Sequence, residues 1–266
     1  MLREKFRTSI YLSIVVIALS IITSAGGIFL ETIYKDNEFT KTALYGNDIV
    51  TLFLAVPLMI LGLFFSIKGS KKALLVWMGT LWYMVYNYIF YLYGTAYNNF
   101  FLLYVGLFTL SAYALLFGVV NIDAKGISKL FNEKTPTKLI SGYMVFFASL
   151  LGGLWIAMSI GSIVSGKIPE HVLQTNHPTA VVWATDLSLL IPALIVSAIY
   201  LWKRNPWGYI FSSIVMIKSV TYSIVLIVMS IISYIKMGEG DPFISLWIFL
   251  SVTCMIALGL LLGNMK

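Results

Sequence analysis

The sequence predicts an all-α, polytopic integral membrane protein of about eight transmembrane helices, with the N- and C-termini both cytoplasmic. Three observations carry that reading. The 266 residues are 59% hydrophobic and 11% charged, against about 45–50% apolar and about 25% charged in a soluble domain. The apolar residues form continuous runs close to the roughly 20 residues that a membrane helix needs. They do not form the alternating segments of about 10 residues that build an outer-membrane barrel. Finally, Lys and Arg fall between the runs with a strong side bias.

The same composition excludes several classes. Eighteen basic and 11 acidic residues cannot clothe a soluble surface, which is normally about 25–35% charged. A net charge of +7 invites a nucleic-acid reading, but such a footprint clusters Lys and Arg on one solvated face. Here they sit in short tracts between apolar segments, so no nucleic-acid partner is expected. The single Cys254 lies in an apolar run. It allows no intramolecular disulfide and reads as a buried thiol.

The expected spans run in order from 8–30, 48–67, 73–94 and 99–120 in the first part of the chain to 139–165, 180–202, 207–235 and 243–263 in the second. The first follows Met1-Leu-Arg-Glu-Lys-Phe-Arg7, which has the charge of a signal-peptide n-region. Its apolar run exceeds the usual 7–15 or so residues of an h-region, so it reads as a retained helix, with cleavage near Ser24-Ala25-Gly26 as the alternative. With the N-terminus inside, the inner side carries Arg3, Lys5, Arg7, Lys68, Lys71, Lys72, Lys125, Lys129, Lys134, Lys138, Lys203, Arg204 and Lys266. The outer side carries only Lys35, Lys41, Lys167 and Lys236. That asymmetry sets the orientation, and a plasma membrane is the expected location.

The two parts of the chain rhyme. Asp48-Ile-Val-Thr-Leu-Phe-Leu-Ala-Val-Pro57 precedes a basic turn, Lys68-Gly-Ser-Lys-Lys72. Asp186-Leu-Ser-Leu-Leu-Ile-Pro192 precedes another, Lys203-Arg-Asn-Pro206. One offset places Pro57 on Pro192, Lys68 on Lys203 and Tyr83 on Lys218; the aspartates match only with a gap. The first span of each part also holds a glycine pair, Gly26-Gly27 and Gly152-Gly153. The reading is a tandem duplication: a first four-helix half over 1–121, a cytoplasmic linker over 122–138 and a second half over 139–266. A four-helix unit returns the chain to the same side, so the repeats are parallel, and a site between the halves is the expectation.

Ionisable groups inside spans are costly and mark functional candidates. Lys218 lies about 16 Å along its helix from Trp207 and Asp186 about 9 Å from the outer edge of its span, at about 1.5 Å per residue. The short turn between those spans packs them together, and the lysine stem can bridge the difference in depth. A direct or water-mediated Asp186–Lys218 link is expected. The competing reading makes Asp186 an N-cap behind Thr185, and Asp48, behind Gly46-Asn47, reads the same way at the outer edge of span two. Span three adds Tyr83, Tyr86 and Asn87 at helical spacing, deeper than an interfacial aromatic belt requires. Buried hydroxyls and amides need partners there, so they either join helices or wall a ligand site.

The outer loop Gly166–Thr179 holds Glu170 and both histidines, His171 and His177. These are candidates for the outer mouth. A Glu-His-His set can bind zinc, but the spacing is not that of one helical face, and His177 before Pro178 sits in extended chain. No metal, and no cofactor of any kind, is expected. No phosphate loop, dinucleotide fingerprint, HExxH, GxSxG or CxxC occurs.

Three functions fit these observations. The first is binding or transport of a small molecule through Asp186, Lys218, Tyr83, Tyr86 and Asn87. The second is an accessory subunit with a protein partner or a second copy of itself and no ligand site. The third is an intramembrane enzyme on a lipid-soluble substrate, using His171, His177 or Asp186 as base. The first is preferred, so the chain is read as a non-enzyme whose constant partner is the bilayer.

Overall fold

The computed structural model describes residues 2–30, 32–238 and 240–266. The side chain of Arg3, counted above among the inner charges, lies outside the described part. Among the described residues there are eight long helices: α1 Arg7–Phe29, α2 Glu38–Ile67, α3 Lys71–Tyr93, α4 Phe101–Val120, α5 Thr137–Ser165, α6 Val181–Trp202, α7 Pro206–Met237 and α8 Ile244–Gly263. All are long and apolar enough to cross a membrane. Among the described residues no strand forms, and one isolated backbone bridge joins Phe131 to Met265. The architecture is that of an all-helical multipass membrane protein.

Helix ends follow local chemistry. Ser70 accepts a hydrogen bond from the Ala73 amide at the start of α3. Asn205 accepts one from the Trp207 amide, and Pro206 opens α7, where its missing N–H costs nothing. Gly166 and Gly238 end α5 and α7 in the left-handed region, the usual glycine stop.

One boundary differs widely from the sequence reading. α2 starts at Glu38, not near residue 48, because Asn37 caps it by accepting from the Thr40 amide. Asp48 therefore lies well inside a helix and is no cap. Asp186 is no cap either, since α6 begins at Val181 and runs on through it.

α2 and α6 share an irregularity. Each contains a π-helical turn, Thr51–Ala55 and Asp186–Leu190, in which Val56 N–H reaches Thr51 O and Ile191 N–H reaches Asp186 O. Each turn sits just before a proline, Pro57 or Pro192. Proline lacks the N–H that would close the α-type bond, so the wider turn goes with a ladder already interrupted there.

α3 and α7 are the most enclosed helices and pack against each other. α2 and α4 flank α3, α6 and α8 flank α7, α1 lies on α2 and α4, and α5 lies on α6. A Cβ on Gly79 would come within 2.6 Å of Ile217, so the central contact depends on that glycine, as close membrane helix pairs commonly do. The connection between α4 and α5, read above as a linker over 122–138, spans 121–136 and is folded. Asp123 caps a short helix, Ala124–Ser128, and the linker then pairs with the C-terminus through Asn132 N–H to Asn264 O at 2.8 Å and Lys266 N–H to Leu130 O at 2.9 Å. Arg204 donates to Thr135 O at 3.2 Å. The turns at 68–70 and 203–205, the linker and both termini share one end of the bundle.

A Cβ on Gly208 would lie 2.4 Å from backbone atoms of Tyr200 and Leu201. Backbone cannot step aside as a flexible side chain can. Gly208→Ala is expected to destabilise the protein by about 1–3 kcal/mol, the usual range for overpacking, read as a lower melting temperature of the purified protein in detergent.

Candidate functional site

A cavity of about 510 Å³ runs down from the end of the bundle opposite the termini. Its walls come chiefly from α5, α6, α7 and α8, with the start of α2 and Phe90 of α3 closing one side. One stripe of α7 follows it from Lys218 through Tyr222, Leu226 and Ser230 to Ser233. The structure thus joins two groups of residues that the sequence analysis treated apart. Asp186 and Lys218 lie at the closed end, and Glu170, His171 and His177 lie at the mouth.

Lys218 is fully buried. Its Nζ stands 3.2 Å from the centre of the Tyr86 ring and 4.7 Å from that of Tyr222. These two rings meet edge to face at 4.7 Å. Ring faces attract an ammonium, but no oxygen accepts a hydrogen bond from it. Asp186 makes no direct ion pair with it within 4.0 Å. The carboxylate instead accepts from Tyr86 OH at 2.6 Å and Trp155 Nε1 at 2.9 Å. Tyr86 therefore touches both groups, one through its ring and one through its hydroxyl. Trp155 stacks on Trp183 at 5.4 Å, which fixes the indole that holds Asp186.

The other candidates lie elsewhere. Tyr83 and Asn87 sit between α2 and α3, away from the cavity wall. Asn47 Nδ2 donates to Asn87 Oδ1 at 2.8 Å, and Tyr83 OH bonds Thr51 Oγ1 at 2.8 Å. Asp48 is buried among α1, α2 and α3, not at a mouth. Tyr34 OH donates to it, as does Tyr91 OH at 2.9 Å. Gly27 faces this carboxylate so closely that any Cβ would overlap it.

The mouth is more ordered than an extended loop. Glu170–Thr175 forms a short helix. Asn37 Nδ2 donates to Gln174 O at 2.7 Å and Thr40 Oγ1 to Thr175 O at 3.0 Å, which ties this loop to the start of α2. The His171 ring meets Phe39 edge to face at 6.3 Å, and His177 meets Phe90 at 5.6 Å. Among the described residues, no three His, Cys, Asp or Glu side chains gather as a metal site would require.

Several cavity residues escaped the sequence analysis. Tyr222 stands four residues from Lys218, one helical turn on, and that spacing could have found it. Trp155 and Trp247 carried no signal beyond apolar helix. Asp241 lines the mouth and accepts from Ser230 Oγ at 2.5 Å, Trp247 Nε1 at 2.9 Å and Phe243 N–H at 2.8 Å. No model of a known family matches the chain, and no curated protein or solved structure matches it either.

Burial pushes both histidines below the usual 6.5. Asp241 partly opposes this at His171. At His177, Asp36 opposes it and His171 adds to it. Between the lowered values and 6.5, the unfolded chain binds protons that the folded protein does not. Stability therefore rises with pH through that window and levels off above 6.5. Melting curves taken below and above pH 6.5 should show loss on acidification, and His171→Gln with His177→Gln should flatten the slope.

Proposed function

We propose that this protein binds, and carries across the plasma membrane, a small molecule that enters the cavity from the outer side. Asp186 and Lys218 meet it at the closed end, Tyr86 positions both, and Glu170, His171 and His177 control the mouth. One observation carries the reading. Lys218, fully buried and with no hydrogen-bond acceptor at its Nζ, lines the cavity. Such a group is costly in a membrane interior, and a bound molecule is what would complete its hydrogen bonding.

The orientation we propose is N-in and C-in, following the excess of Lys and Arg at the end that carries the termini. We also infer a tandem duplication. The π turns lie at one offset, as do Pro57 and Pro192, the caps Ser70 and Asn205, and the left-handed residues Gly69 and Arg204. α4 and α8 agree at a second offset. Asn98 and Asp241 each accept the amide two residues on, at 2.9 and 2.8 Å. Asn121 and Asn264 each close their helix by donating to the carbonyl four residues back. The buried stripes of α1 and α5 agree at a third, pairing Ser13 with Ser141, Val16 with Met144 and Gly27 with Trp155. In that alignment the glycine pairs of the two halves stand two residues out of register.

The halves then differ in one respect. Tyr34, Tyr88, Tyr91 and Tyr104 fill the space among α1–α4, whereas the matching space among α5–α8 is open. The second half is the binding half.

Two experiments test these readings. In lipid nanodiscs, a metabolite panel should contain a compound that raises the melting temperature of the wild type and raises that of Lys218→Met far less. A panel without effect on the wild type counts against a ligand site. Single cysteines introduced at Ser70 and Gly240, in a Cys254→Ser background, should react with an impermeant thiol reagent on intact cells at 240 only. The reverse pattern inverts the topology.

A further inference from the structure

The charge and walls of the cavity narrow the class of its ligand, given the binding role proposed above. We infer that the occupant is a neutral, mostly apolar molecule with a carbonyl oxygen that accepts a hydrogen bond from Lys218 Nζ.

The closed end supplies the first argument. An ammonium has three donors and no acceptor. Lys218 spends its charge on the faces of Tyr86 and Tyr222 but has no lone pair to donate to. The missing element is an acceptor, not another ring. Lys218 and Asp186 are one base and one acid, so together they leave this end of the cavity without net charge. Asp186 lines the same cavity, and two donors, Tyr86 OH and Trp155 Nε1, fix it as an acceptor. A ligand carboxylate or phosphate would put a second anion in this enclosed end, and excess charge is expensive away from water. A cationic ligand would meet Lys218 itself. A neutral acceptor leaves the balance intact. The mouth selects the same way, because Glu170 and Asp241 both line it and an incoming anion would pass them.

The walls supply the second argument. The α7 stripe from Lys218 to Ser233 spans about 22 Å at about 1.5 Å per residue. The cavity holds about 510 Å³ beside it. Between its two ends the walls are largely apolar, with Phe147, Leu151, Leu190, Leu226, Trp247 and Leu250 among them.

Three probes of matched chain length separate the possibilities: 2-undecanone, undecanoic acid and undecane. Each is added to the full-length protein in nanodiscs at neutral pH, and apparent affinity is read from the shift in melting temperature. The ketone is expected to bind best to the wild type. Lys218→Met should weaken it by about tenfold or more, as loss of a charge-assisted hydrogen bond implies. Undecanoic acid binding more tightly than the ketone overturns the inference and leaves the ligand-site reading standing. Undecane matching the ketone also overturns it, since Lys218 would then contribute no acceptor-dependent affinity. No shift with any of the three, nor with any member of the metabolite panel, removes the ligand site as well. Should Lys218→Met not fold, Lys218→Gln takes its place, and the ranking of the three probes on the wild type decides the matter without a variant.

Discussion

Hydrocarbon offers no hydrogen bonds, so every polar side chain within a span must find its partner inside the protein. This chain concentrates those side chains at the α3–α7 contact. α3 carries Tyr83, Tyr86, Asn87, Tyr88 and Tyr91, and α7 carries Lys218, Tyr222 and a series of serines and threonines, all buried. Neither helix could face lipid along these stripes. The other six helices enclose the pair, and their outward faces expose Ile, Leu, Val and Phe. The three polar centres of the interior, around Asp186, Asn47 and Asp48, each hang on a tyrosine hydroxyl from α3.

The spans were legible because bilayer thickness imposes a length and an apolar content that composition shows directly. The start of α2 was not. Its first turns, Glu38-Phe-Thr-Lys-Thr, are too polar to read as a membrane helix, and only the Asn37 cap and the contacts to the 166–180 loop show that they are helical. The same oversight made Asp48 look like a helix start. Asp186 and Lys218 were found by their cost, and the structure places both at the end of one cavity. Of the direct or water-mediated link expected between them, the direct form does not occur: the Tyr86 ring lies under Lys218 Nζ and its hydroxyl donates to Asp186. Sequence spacing places groups at similar depths, but it cannot show which third side chain intervenes. The cavity itself was not legible, since an unfilled space leaves no residue to read.

Within each half, an aspartate accepts hydrogen bonds from aromatic side chains: Tyr34 and Tyr91 at Asp48, Tyr86 and Trp155 at Asp186. The chemistry is similar and the surroundings are opposite. Asp48 is sealed in by tyrosines, with Gly27 against it, whereas Asp186 borders open space. A sealed carboxylate holds helices together. Asp186 does the same through Tyr86 and Trp155 while bordering a cavity.

The π turns in α2 and α6 have a mechanical consequence. A π turn holds about one residue more than the helix around it, and one residue is about 100° of rotation at about 3.6 residues per turn. The part of each helix before the turn is therefore phased differently from the part after it. In α2 this phase lets Asn47 and Asp48 on one side, and Met59 and Gly62 on the other, all face inward. Removing a single residue between Thr51 and Ala55 would restore a regular helix and turn Asn47 and Asp48 off their tyrosine partners by more than a quarter of a revolution. In α6 the same loss would turn Trp183 off its stack with Trp155. The register of both helices thus depends on the residue count in these two short segments, and no change of side-chain type would replace a missing position.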